Sequence, residues 1–92
     1  MIESPLLVRR ARSSGGAGGI RVTLERDGDG FVVRSTGARS REHHVANALA
    51  AAQAFNAEVE AARRDGYTSI PEPVVLSAEA VERRGVAEGT DP

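Results

Sequence analysis

A chain of 92 residues with a net charge of −1 has room for one domain. Cysteine is absent, which excludes disulfides, Fe–S clusters, thiolate metal sites and cysteine nucleophiles. The aromatics are Phe31, Phe55 and Tyr67 alone, so Val, Leu and Ala must build the core. No apolar run approaches a membrane span, and the N-terminus lacks the basic-then-apolar pattern of a secretory signal. A cytoplasmic protein with no membrane partner is therefore expected. So thin a core points to a protein partner or to self-association as a homodimer. All basic residues are arginine, as codon bias in a GC-rich genome produces. Residues 1–41 carry a charge of +4 and residues 42–92 a charge of −5.

Residues 1–12 read as an N-terminal strand or arm. Leu6-Leu7-Val8 can form a short strand, and Pro5 would place it at a sheet edge or at the strand start. Residues 13–19 are a Gly-rich connector without a large side chain. A hairpin-plus-helix core domain, 20–76, follows. Ile20, Val22 and Leu24 alternate with Arg21, Thr23 and Glu25, the pattern of a half-buried strand. Asp27-Gly28-Asp29-Gly30 is a turn signal, and residues 31–36 form the return strand. Phe31 and Val33 join the buried face, while Val32 and Arg34 point away. Ser40 is placed as the N-cap of a helix from Arg41 to Arg64, with Glu42 in its first turn. Val45, Ala48, Leu49, Ala52, Phe55, Val59 and Ala62 form its apolar stripe. Asp65-Gly66 ends the helix, with Gly66 left-handed. Pro71 and Pro73 bracket an extended stretch in which Val74-Val75-Leu76 is a further short strand or a surface clip. Ser77 caps a short helix from Ala78 to Arg84, and 77–92 close the chain as short helix and loose tail. The expected fold class is α+β: an antiparallel β-hairpin or three-stranded sheet packed against one long α-helix, with a short C-terminal helix.

Few chemistries fit these residues. The Asp27–Gly30 turn begins like a calcium loop, but its fifth position is Phe31. The glycine run lacks the Lys-Ser/Thr of a phosphate loop and leads into a strand. His43 and His44, as neighbours on a helix, point about 100° apart and cannot share a metal. No Ser/His/Asp set or carboxylate pair has catalytic spacing, so no catalytic, metal or cofactor site is assigned and no enzyme is expected. Arg34, Arg39, Arg41, His43 and His44 cluster where the return strand hands over to the helix. They form the candidate partner-binding surface, since arginine forks are common interface anchors. The acidic set Glu58, Glu60, Glu79 and Glu82 is spread over two elements and lacks an anchor. Arg9, Arg10 and Arg12, with Arg21, Arg34, Arg39 and Arg41, offer a basic patch for nucleic acid, but the net charge is negative and no aromatic is interleaved, so nucleic acid is not favoured.

From Val22 to Arg34 the chain reads Val-Thr-Leu-Glu-Arg-Asp-Gly-Asp-Gly-Phe-Val-Val-Arg, and from Ala46 to Ala52 Ala-Asn-Ala-Leu-Ala-Ala-Ala. This Asp-Gly hairpin followed by an alanine-rich helix resembles small phage-encoded anti-CRISPR proteins, which block CRISPR effector complexes. The run from Glu25 to Val33 is also similar to HicB-type antitoxins, although Gly37-Ala38-Arg39-Ser40 lacks the proline of their strand-to-helix motif. The first resemblance implies a non-catalytic protein-binding module, a phage-encoded inhibitor of a host nucleic-acid machine. The second implies the alternative, a small nucleic-acid-binding or antitoxin-type regulator using the N-terminal arginines. Neither resemblance carries a functional residue over to this chain.

Overall fold

Alternating hydrophobicity on either side of an Asp-Gly turn produces a hairpin, and the rest of the fold is laid against it. The computed structural model describes residues 2–9, 19–69 and 71–83. The N-terminal arginines Arg10 and Arg12, connector residues 13–18 and the tail from Arg84 onward lie outside the described residues. Strand β3 (Gly19–Asp27) pairs antiparallel with β4 (Gly30–Gly37), setting Leu24 opposite Val33 and Ile20 opposite Gly37. Gly28 takes a φ of +61° while no other residue type among the described residues has positive φ, so only the first turn position is left-handed. That is the pattern of a type II′ turn, whose twist matches the strands it joins.

Residues 41–45 correct the expected helix start. Arg41–Val45 is strand β5, paired antiparallel with β4 so that Val45 faces Phe31 and Arg41 faces Ser35. The helix α1 begins later and spans Ala48–Arg64. Its N-cap is Asn47, not Ser40: the Ala50 N–H donates to Asn47 Oδ1 at 2.8 Å. Both residues suit a cap. The choice falls to Asn47 because residues 41–45 gain a ladder of pairs on β4 that a longer helix would forfeit.

The N-terminal segment adds two short strands, β1 (Ile2–Glu3) and β2 (Leu7–Arg9), both paired with β3. Ile2 faces Leu24, yet Leu7 faces Ile20, so the segment holds one residue more than β3 across the break. This is a β-bulge at Ser4-Pro5-Leu6. At the bulge the Ser4 N–H donates to the Val22 carbonyl at 2.8 Å, and the Val22 N–H donates to Ser4 Oγ at 3.0 Å. The hydroxyl thus replaces the carbonyl that a regular ladder would offer. The extra residue also resets the phase, burying Leu7 and leaving Leu6 exposed. Strand β6 (Tyr67–Thr68) pairs with β2, giving a six-stranded sheet in the order β5-β4-β3-β2-β6 with β1 beside β3.

Helix α1 covers one face of this sheet. Ala48, Ala51, Ala52, Phe55, Glu58, Val59 and Ala62 are its buried residues. They share a core with Ile2, Leu7, Ile20, Val22, Leu24, Phe31 and Val33. Leu49, expected in the stripe, is 58% exposed, and Glu58, expected at the surface, is 5% exposed. Phe55 fixes this face. Positions three and four residues away on either side lie over the sheet with it, which brings in Glu58 and excludes Leu49. Gly66 follows the last turn with a φ of +95°, and its N–H donates to the Arg63 carbonyl at 3.0 Å.

Beyond β6 the chain runs extended through residues 71–77 into a short helix α2, 78–83, whose Val81 completes the core. Val74-Val75-Leu76 is not a strand. Asn56 clips Leu76 instead: its Nδ2 donates to the Leu76 carbonyl and its Oδ1 accepts from the Leu76 N–H, each at 2.8 Å. The fold is α+β, a one-sided sheet beneath one long helix with a short C-terminal helix, and the sheet is wider than the expected two or three strands. No helix among the described residues is long and apolar enough to cross a membrane. With Phe55 at the centre of the stripe, Phe55→Ala is expected to cost about 3–5 kcal/mol in urea denaturation. A loss below about 1 kcal/mol would remove Phe55 from the core.

Candidate functional site

The five residues singled out from the sequence all lie on or beside β5, the outermost strand, but not on one surface. The strand's alternation sends Arg41, His43 and Val45 to the helix side and Glu42 and His44 to the open face. His43 and His44 are therefore not a first-turn helical pair: they point to opposite faces of the sheet.

On the open face Arg34 sits at the centre of an ion network. It lies opposite Thr23 on β3 and Glu42 on β5. Its Nε donates to Glu42 Oε2 at 2.6 Å and its Nη1 to Glu25 Oε2 at 2.7 Å. His44 continues the network, with Nε2 3.4 Å from Glu42 Oε1 and Nδ1 3.3 Å from Asp27 Oδ2. Beneath these side chains Val32, expected to point away from the core, does so yet is only 3% exposed. Its cross-strand neighbours are Glu25 and His44, so the charged groups roof an apolar side chain.

On the helix side Glu58 reaches down from α1 to β5. Glu58 Oε2 lies 2.7 Å from His43 Nε2 and 3.8 Å from Arg41 Nη1. His43 donates in this contact in the tautomer that carries its proton on Nε2. The other oxygen, Oε1, is buried without a hydrogen-bond partner among the described residues, as is Ser35 Oγ. Ser35 lies opposite Arg41 on β4 and is 1% exposed. Ser35 and His43 thus face the same side of the sheet as Glu58, and the serine is buried.

Arg39 stands apart in the β4–β5 turn. It donates from Nη2 to Asp65 Oδ2 at the C-terminal cap of α1. This contact ties the turn to the helix end and occupies the guanidinium. The most available side chains of the five are Arg41, 59% exposed, and His44, 60% exposed. Nothing in the sequence marks Glu25 or Glu42 as Arg34's partners, and Glu58, grouped there with the acidic surface set, is buried. The only signal for Glu58 was its spacing three residues after Phe55, on the same helix face. No protein-family model, curated protein or solved structure matches this chain.

The hydrogen bond from Arg34, then that from His44, holds the Glu42 carboxyl below its ordinary value. A depressed carboxyl contributes stability above its unfolded value, about 4.3, and loses it as pH falls through the folded value. Glu42→Gln should be less stable than the parent at neutral pH, and denaturant midpoints of the two should converge as pH drops below the carboxylate range. On the helix side, His43→Leu leaves Glu58 buried with only the distant Arg41, at a cost of about 1–3 kcal/mol. Adding Glu58→Met should recover most of that loss, because an apolar pair tolerates the site where a lone buried charge does not. A double-mutant cycle by urea denaturation measures both.

Proposed function

We propose that this protein is a non-catalytic binding module that docks on a partner protein along the edge formed by β5 and its flanking side chains. One observation carries this reading. Among the described residues β5 pairs with β4 alone, and the exposed Arg41 and His44 project from its two faces. A free edge can take a partner strand through its main-chain groups, while side chains on either face select which strand. The same charges guard the edge against indiscriminate pairing in the unbound protein. Arg34 supports the surface rather than anchoring the partner, because Glu25 and Glu42 already engage its guanidinium. Arg39 likewise serves the fold through Asp65. His43, held by Glu58, stiffens the strand that the partner meets.

The resemblance of the hairpin and alanine-rich helix to phage-encoded blockers of CRISPR effectors gives the reading its most specific form: an inhibitor seated on a nucleic-acid machine in the cytoplasm. To test it, a photo-crosslinking amino acid replaces His44, and a second variant carries it at Glu60 on the exposed side of α1. Captured protein is identified by mass spectrometry, purified and titrated directly. The expected outcome is capture from position 44 alone and binding weakened about tenfold or more, some 1.4 kcal/mol, by Arg41→Gln with His44→Gln. Equal capture from both positions, or unchanged affinity of the double variant, overturns the assignment of this edge.

A further inference from the structure

We infer that the groove between β1 and residues 71–77, on the opposite edge of the sheet from β5, receives an extended peptide of a partner protein whose apolar side chains alternate with arginine or lysine. Extending the β2–β6 register, in which Val8 faces Thr68, would set Pro71 opposite Pro5 and Val74 opposite Ile2. The two stretches instead stand apart around a hollow of about 360 Å³ lined by both. The prolines give the physical reason. Pro5, Pro71 and Pro73 have no N–H to donate, so a ladder between these stretches would fail at the residues where it should begin.

Both walls present strand-like backbone. The Ser4 N–H donates to Val22 on β3, so the alternation of an antiparallel ladder turns the Glu3 N–H and carbonyl away from β3, toward the hollow. On the other wall, Val74 and Val75 make no hydrogen bond with their main-chain groups among the described residues. These residues are 83% and 81% exposed, the most exposed large hydrophobics among the described residues. The wall is nevertheless fixed at its ends. Ser69 Oγ donates to the Pro71 carbonyl at 2.7 Å, and Asn56 clamps Leu76. A groove held open in this way spares an incoming strand the cost of ordering its site.

The lining selects the occupant. Phe55, Ile2 and Leu76 supply an apolar floor, and among the described residues the charged ones along the walls are Glu3 and Glu72. Two carboxylates repel a phosphate backbone and attract a cationic chain. Main-chain pairing on an open edge with pockets for alternate side chains is the strand-addition mode of peptide recognition.

The test uses a fluorescein-labelled octapeptide of alternating arginine and valine, with an alternating glutamate and valine peptide as control, in fluorescence anisotropy. Saturable binding of the basic peptide alone is expected, weakened about tenfold or more by Glu3→Arg with Glu72→Arg. Arg41→Gln, on the β5 edge, should leave it unchanged, which separates this groove from the surface proposed above. Hydrogen exchange at the Glu3, Val74 and Val75 amides should slow when the peptide is added. Circular dichroism checks the fold of the charge-reversed variant, and Glu3→Gln with Glu72→Gln serves if reversal unfolds it. Equal binding of both peptides, full affinity of the charge variants, or unchanged exchange at these amides overturns the inference. So does protection that appears with protein concentration alone and a doubled mass in sedimentation, which would make a second copy of this chain the occupant.

Discussion

The contact between the alanine-rich face of α1 and the inner face of β3 and β4 is the constraint on which the rest of the structure depends. Alanine is short, so α1 can approach the sheet closely, with Phe55 and Val59 as its only large buried apolar side chains. A close helix brings everything on its face into contact with the sheet, charged residues included. Glu58 is buried for this reason, and its burial demands partners from the strand below. His43 and Arg41 supply them. The helix therefore does more than cover the core: it holds the edge strand from above through a polar contact, where aliphatic packing would have held it less directionally.

The one-sided design leaves the opposite face of the sheet to stabilise itself. Arg34 does so by engaging Glu25 and Glu42 from neighbouring strands. Exposed ion pairs of this kind each contribute little. Their placement over Val32 matters more, because the network screens an apolar side chain from water. Pairing across strands also lowers the free charge on the surface most open to solvent.

At the edge away from β5, a single extra residue has consequences on both sides of the strand. The bulge at Ser4-Pro5 keeps Ile2, Ser4 and Leu7 on the buried face. It also places a residue without an N–H where the next strand would have to pair. The ladder consequently continues from β2 to β6 but not from β1 to residues 71–74. Asn56 holds the displaced segment by its Leu76 backbone, so the separation is built into the fold by a clamp as well as by prolines.

Sequence alone determined the hairpin, its turn, the body and C-terminal end of α1, and the short C-terminal helix. These rest on local signals: a period of two, a period near 3.6, an Asp-Gly pair, a glycine after the last turn. Each is fully contained in a short window, and the nearby chain cannot contradict it. The tertiary structure decided what depends on distant partners. Arg41–Val45 is compatible with a helix until β4 offers a ladder. Asn47 and Ser40 are equivalent as caps until that ladder forms. Leu49 and Glu58 exchange the surroundings their polarity suggests because Phe55 sets the helix face and His43, fifteen residues from Glu58, compensates the carboxylate. The candidate site was legible as a cluster in the sequence. Its division between two faces was not, because whether adjacent residues diverge by the angle of a helix or the alternation of a strand is settled only by the strand beside them.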